Sequence, residues 1–484
     1  MQKLHPFIPA FVFGVVVILV PFLSQTIESA FASLASSIVC LLILGYAVYV
    51  GAIPKWRSWA VSHFLLIAFA AAILLSTLFS QNSVLAGFGF ALGMTSGFFL
   101  VLISILALVV GALETRSRRA LFAVGSVSLC LLLLSPLYRS EVSVRPSFEV
   151  TSSIASSLYA DSGMKAILLG HGPGSFVYAW QAYKPKAVLS TSFWSDDFST
   201  GNSVISTVFI EAGVIAGLLF IVIFLVAIAE EMPRLFARGL LLRNRAERIL
   251  RVTALLLAFG SLLFIEPSAV LILTCAIILG SVKVEVLDGV SLSMWVRRVV
   301  LGVVALVLLG IVYLCVSVGF YFYAFFAVVR GDLLFARSYA EYAHRIVPHP
   351  QTSRLLVQIL RTTGHELGRI NSRQEAIQKV FSLASTYSRE STIQEPKNVQ
   401  NWKLLGITLA EELALAKKKE FFDEGKRAFA QAKQLAPSDP AVLFFEAQLH
   451  ILAGEKDRAT QLLDEALLLR PSYTEARELR DAAR

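Results

Sequence analysis

GFYFYAFFAVVRGDLLFARSYAEYAHRIVP, residues 319–348, is where the chain changes character. Up to about position 326 it continues an apolar run that begins near 299. From about 331 charged residues recur every few positions, and Ala336, Ala340 and Ala343 repeat at the spacing of one helical face. The stretch therefore joins two helical regimes. An all-α chain is expected, with a polytopic membrane domain over 1–330 and a polar helical domain over 331–484.

Over the whole chain, 56% of the 484 residues are hydrophobic, and the mean hydropathy is +0.69. That is too apolar for a soluble protein of this length and points to the membrane class. Runs of the length that crosses hydrocarbon fall near 7–24, 30–52, 58–80, 95–113, 119–137, 203–229, 250–265, 267–284 and 299–326. These make about nine spans. The pair broken at Pro267 also fits a re-entrant hairpin, which leaves the topology unchanged. The first run lacks a clear small-residue cleavage site and is expected to be retained. Cys40, Cys130, Cys275 and Cys315 all fall in apolar runs without a CxxC partner, so they read as small core residues. The net charge of +9 is carried in short blocks between the runs, which suggests topology and not nucleic-acid binding.

Those blocks alternate. Lys3; Lys55 and Arg57; Arg116, Arg118 and Arg119; the cluster from Arg234 to Arg251; and Arg297 with Arg298 occupy every second connection, while SQTIES, SQNSVLAG and IEPS carry no Lys or Arg. Positive-inside logic places the N-terminus in the cytoplasm and the long loop 138–202 outside. An odd number of spans places the C-terminal domain outside as well.

Downstream, PSDPAVLFFEAQLHILAGEKDRATQLLDEALLLRPSY (437–473) carries Ala447, Gly454, Ala459, Leu463, Ala466 and Pro471. Small residues where two helices cross, with a proline closing the second, are the pattern of a tetratricopeptide repeat. A looser copy precedes it, with Trp402, Leu405, Gly406, Phe429, Ala432 and Pro437. Ala336, Ala340, Ala343 and Pro348 read as the second helix of an earlier unit whose first helix is the end of the last span. Such repeats are expected to stack as an α-solenoid.

The loop 138–202 holds LLGHGPGSFVYAW, followed by Asn202 and the helix VISTVFIEAGVIAGLLF. Gly170, Gly172, Gly174 and Phe176, then Asn202, Glu211, Gly213 and Gly217, resemble the O-antigen ligase and polymerase family over about 148–230. That family has a glycine-rich element in a long extracytoplasmic loop, a His-Asn pair, and a helix with Glu-x-Gly and a further glycine. Here Gly201-Asn202 stands in place of His-Asn. The resemblance implies a metal-independent, cofactor-free membrane glycosyltransferase of the bacterial cytoplasmic (inner) membrane. Its donor would be a glycan on undecaprenyl diphosphate, and its acceptor a glycan, a lipid or a protein of the envelope. Membrane lipid and an envelope protein bound by the repeats are the other expected partners. No nucleic acid is expected.

The chemistry of such a transfer selects candidates. A departing diphosphate needs cations, for which Arg139 and Arg145 open the loop. An acceptor hydroxyl needs a base, and His171 is the only histidine in the loop. Glu211 is an ionisable group about two turns into a span, a placement that is costly without a role. Tyr178, Trp180, Lys184 and Trp194 are candidates for sugar stacking and polar contact, alongside the glycines, Phe176 and Asn202. Each has a plainer reading. His171 also fits a polar spacer between glycines, the aromatics fit an interfacial belt, and Gly213 with Gly217 fits a GxxxG surface for close helix packing. The alternative for the whole protein is a non-catalytic, membrane-anchored repeat scaffold.

Overall fold

The computed structural model describes residues 7–19, 25–50, 61–80, 96–113, 115–134, 144–235, 242–265, 267–281, 293–370 and 373–484. Regular structure among the described residues is helical throughout. Before the loop come α1 (Ile8–Leu19), α2 (Gln25–Val50), α3 (Val61–Phe79), α4 (Gly97–Ala112) and α5 (Thr115–Leu133). The loop folds into the short helices α6 (Phe148–Asp161), α7 (Met164–Leu169), α8 (Phe176–Tyr183) and α9 (Lys186–Leu189). Then follow α10 (Val204–Leu235), α11 (Leu242–Phe264), α12 (Ala269–Ser281) and α13 (Met294–Val329).

Four helical stretches among the described residues are long and apolar enough to cross a membrane: Ala32–Val50, Val61–Phe79, Val204–Pro233 and Met294–Val329. Helices α4 and α12 are apolar but shorter. The arginines expected at cytoplasmic ends lie inside the first turns of α5 and α11, which shortens the apolar part of each. There Glu247 of α11 pairs with both Arg119 of α5, at 3.2 Å, and Arg251. The first expected run, 7–24, extends past α1 into positions outside the described residues.

The chain divides into two compact units. The first comprises Met1–Ser152, Tyr159–Phe176 and Ser199–Cys315. At its centre is α12, buried on every side and packed against α2, α4, α5 and α11. A helix apolar all round needs such enclosure, and AVLILTCAIILGS has no polar face to offer solvent. Of its two hydroxyl-bearing residues, Thr274 places Oγ1 2.9 Å from Ser128 Oγ of α5, and Ser281 is the last residue of the helix. Cys40 and Cys275 are buried among apolar side chains, whereas Cys130 is exposed.

The second unit comprises Ser153–Leu158, Val177–Phe198 and Val316–Arg484. It contains α14 (Leu333–Ile346), α15 (Pro350–Arg369), α16 (Gln374–Gln394), α17 (Val399–Ala416), α18 (Lys419–Leu435), α19 (Pro440–Leu452), α20 (Lys456–Leu469) and α21 (Thr474–Ala483). They form tetratricopeptide-like helix pairs, and the small residues explain how closely each pair crosses. A Cβ added at Gly406 of α17 would strike the ring of Phe429 in α18, and one at Gly364 of α15 the ring of Phe381 in α16. In the α19–α20 pair, Ala447, Ala459 and Ala466 are fully buried around Leu462 and Leu463. Bidentate pairs then join one hairpin to the next: Arg361 of α15 to Glu411 of α17, and Arg389 of α16 to Glu424 of α18.

The pair α15–α16 is the repeat that sequence spacing did not single out. The end of α13 does serve as the first helix for α14. Ala324 packs with Ala336, Ala340, Leu355 and Ile359, and Ser317 Oγ donates to the Ala343 carbonyl at 2.9 Å. This packing is why compactness divides the chain inside α13, at 315/316, while the change of composition comes near 330.

Candidate functional site

The element GHGPGSF folds as a turn between α7 and α8. Gly170, Gly172 and Gly174 take φ of 76°, 106° and 79°, values that carry a penalty for any residue with a Cβ. The reason for this backbone lies on α10. Between Glu211 and Gly213 that helix breaks, with Gly213 at φ 80° and ψ 178°. The break opens the Glu211 carbonyl, which accepts the Gly172 N–H at 2.9 Å. The Glu211 carboxylate accepts the Phe176 N–H at 3.2 Å, and Ser76 Oγ of α3 reaches the same carbonyl at 3.5 Å. The two glycines at the crossing admit no side chain. A Cβ on Gly170 would collide with the Glu211 carbonyl, and one on Gly213 with the backbone of Leu168 and Gly170.

Gly213 is thus a kink residue as well as a close-packing one, its backbone set directly against Leu168 and Gly170. Gly217 lies instead under the ring of Phe209 from the preceding half of its own helix. The uninterrupted span read over 203–229 is likewise two helical segments joined at a break. Glu211 is 1% exposed, consistent with an intramembrane acid whose polar atoms are engaged by protein.

Around this clasp lie the other candidates of the first unit. His171 is half-buried, its Nε2 3.1 Å from Ser162 Oγ. Tyr159 donates its hydroxyl to the Phe209 carbonyl at 2.7 Å, and burial pushes its pKa up to about 12. Arg145 donates to the carbonyls of Asn202, at 2.8 Å, and Phe264, at 3.1 Å. It thereby ties the entrance of α10 to the end of α11. The Asn202 N–H donates to Thr151 Oγ1 at 3.1 Å. Lys165 places its ammonium 4.1 Å from the centre of the Phe79 ring. Arg139 lies outside the described residues.

Gly201, where the family carries histidine, is closely packed. A Cβ there would come within 2.8 Å of Thr151 Cγ2, 3.1 Å of Ser206 Oγ and 3.2 Å of the Phe176 ring. The Thr151 side chain would have to shift for any side chain at 201.

The remaining candidates belong to the second unit, where Val177–Phe198 lies on the repeats. The Tyr178 hydroxyl donates to Glu395 at 2.8 Å. Glu395 also pairs with Arg354 at 2.8 Å, and Arg354 donates to Asn401 at 2.7 Å. Burial pushes the Glu395 carboxyl up, but Arg354 and hydrogen bonds from Asn398, Arg354 and Tyr178 outweigh it and hold the group below the ordinary carboxylate range. Gln181 accepts the Val399 N–H at 3.1 Å and donates to Asp197 at 2.8 Å.

Trp180 is buried, its Nε1 donating to the Asp196 carbonyl at 2.9 Å. Lys184 donates to the Trp194 carbonyl at 2.7 Å, and its pKa is lowered chiefly by burial. Trp194 packs on Tyr473 with ring centres 5.0 Å apart and lies 4.2 Å from the Arg470 guanidinium. A cleft beside Lys184, Asp197 and Asp439 has room for roughly one water molecule. It is too small for a sugar ring.

Gln181, Arg354, Glu395 and Asn401 were not legible as a group. They are ordinary polar residues far apart in sequence: Arg354, Glu395 and Asn401 meet within the repeats, and Tyr178 and Gln181 join them through the docked loop segment. Among the described residues no group of three or more His, Cys, Asp and Glu side chains is placed to hold a metal ion.

No protein-family model and no curated protein matches the chain. One solved structure similar to it is YrrB, a TPR protein with an unusual peptide-binding site, at 16% identity and a TM-score of 0.28, covering 38% of this chain and 82% of that one.

Proposed function

We propose that the protein is a membrane glycosyltransferase of the O-antigen ligase and polymerase type. One observation carries the reading. The glycine turn and the Glu-x-Gly helix, two elements that mark the family, meet here through the Glu211 carbonyl and carboxylate. This junction sets positive-φ glycines, a backbone that residues with a Cβ adopt only at a cost, against a kinked apolar helix.

In this reading about nine spans set the N-terminus inside, and the loop and an α-solenoid of repeats outside. An acceptor hydroxyl attacks the anomeric carbon of the carrier-linked sugar. The bond from that carbon to the diphosphate breaks, and undecaprenyl diphosphate leaves with the electron pair. The hydroxyl proton passes to His171, whose Ser162 neighbour orients the ring. Arg145 keeps guanidinium donors beyond those spent on Asn202 and Phe264, and with Arg139 would meet the charge growing on the diphosphate. The repeats hold the acceptor or an envelope protein.

The packing of Gly201 favours the second reading, a non-catalytic scaffold, because a side chain in the place of the family histidine would crowd Thr151. Profiling carrier-linked intermediates and surface glycans in cells lacking the gene separates the two. Accumulation of carrier-linked glycan, reversed by the wild-type chain but not by Arg145→Ala present at equal abundance, supports the transferase. Unchanged intermediates and surface glycans would leave the scaffold.

A further inference from the structure

Helix α13 is longer than a membrane crossing requires. Its 36 residues extend about 54 Å, against roughly 30 Å of hydrocarbon. The side chains of Val299, Val303, Leu306, Leu309, Val312 and Val316 are exposed, as expected of a lipid-facing helix. If the crossing starts after Arg297 and Arg298, about 20 residues bring its far boundary to the neighbourhood of Val318 and Phe320.

At that level the repeats present an unusual surface. Phe320 packs on Tyr339 and Tyr342 with ring centres 6.1 and 5.7 Å apart. Tyr323 and Phe335 extend the cluster through Tyr339. Ala336, Ala340 and Ala343 turn the other face of α14 into the core, so the aromatic face points outward. Phe335 is 60% exposed and Tyr342 50% exposed. The neighbouring cations are Arg330, exposed at the end of α13, and Arg345, whose guanidinium lies 5.5 Å from the Tyr342 ring. Elsewhere on the repeats exposed apolar side chains such as Ile370, Ile393 and Leu468 stand singly.

We infer that this aromatic face of α13 and α14 is a bilayer-interface anchor, with its rings at the boundary of acyl chains and headgroups and Arg330 and Arg345 on lipid phosphates. Phe320 and Tyr323 follow Leu309, Val312 and Val316 at helical spacing along the same helix, about one hydrocarbon thickness beyond Arg298. Aromatic rings with nearby cations suit that boundary because one end of each group is apolar and the other wet. The inference rests on α13 crossing the membrane, as the proposed function requires, and the test separates the two.

The photoreactive aromatic p-benzoylphenylalanine is placed in turn at Leu309, Phe335, Tyr342 and Leu468 of the full chain. The protein is reconstituted in vesicles of phosphatidylethanolamine and phosphatidylglycerol. Leu309 is 66% exposed in mid-helix and Leu468 is 83% exposed on the last repeat pair, so they serve as lipid and water references. Phospholipid adducts at 335 and 342 should exceed those at 468 by about tenfold and map to the glycerol end of the acyl chains, shallower than those at 309. Adducts at 309 but not at 335 or 342 would overturn the anchor and leave the crossing intact. Cross-links from 335 and 342 into protein would assign the face to a protein partner and equally overturn it. Absence of adducts at 309 would remove the crossing itself.

Discussion

The Phe176 backbone N–H donates to the Glu211 carboxylate at 3.2 Å, joining a loop helix to a buried break in an apolar helix. The Glu211 carbonyl takes the Gly172 N–H in the same junction. One residue therefore holds both ends of the turn, with its main chain on one side and its side chain on the other.

Glu211→Gln retains an oxygen that can accept from Phe176, so folding should survive. Glu211→Ala leaves a buried N–H without its acceptor, at a cost of about 1–3 kcal/mol. Thermal unfolding in detergent should rank wild type close to Gln and well above Ala. If Gln folds normally yet carrier-linked glycan accumulates, the negative charge matters to the chemistry. Equal unfolding of Gln and Ala would dismiss the hydrogen bond as a stabilising element.

The glycines of the turn should differ in their tolerance of alanine. At Gly170 and Gly213 the added carbon meets backbone that cannot give way, and each substitution should cost more than about 3 kcal/mol. At Gly174 nothing lies within 4 Å, so only the left-handed backbone is penalised, by about 1–2 kcal/mol. Midpoints of tryptophan-fluorescence melts for the three variants test the order. A Gly170→Ala protein as stable as Gly174→Ala would mean that the two backbones do not approach as described.

Placing a histidine at position 201 should harm this chain. Gly201→His must displace Thr151 and the Phe176 ring, contacts that begin at the first added carbon. The variant should lose stability by several degrees in its melting midpoint, with overpacking costs of about 1–3 kcal/mol. A Gly201→His protein with unchanged melting and improved transfer would instead show that the pocket can reopen.

The loop segment held by the repeats should respond to acid. Glu395 has its carboxyl held below the ordinary range in the fold, so the unfolded chain binds the proton more readily. Stability from this group is present above the ordinary carboxylate pKa and is lost as pH falls through the lowered one. Protection of the Val177–Phe198 amides, taken as the ratio of intrinsic to observed exchange, should fall over that acid window in the full chain, and Glu395→Gln should flatten the dependence. Tyr178→Phe removes the hydroxyl donated to Glu395 and should cost about 1.5–3 kcal/mol at neutral pH. A protection ratio that stays constant across that window in wild type would discount Glu395 as the anchor.

Much of this protein was determined by the sequence alone, where the physics is local or periodic. Apolar runs too long for a soluble core, and alanine and glycine at helical spacing after 331, follow from what hydrocarbon and helix crossings demand of any chain. The glycine-rich turn and the acid within the apolar helix also stood out, because both are costly unless something compensates. Only the tertiary structure decided what compensates them. Gly213 reads as a packing glycine, and the fold adds that it packs against Gly170 at a break, since a GxxxG spacing does not say whether its helix is straight or broken. The roles of Tyr178, Trp180, Lys184 and Trp194 depended likewise on Glu395, Asp196 and Tyr473, which the fold brings alongside them. Side-chain chemistry lists what a residue can bond, and the long-range path of the backbone chooses the partner.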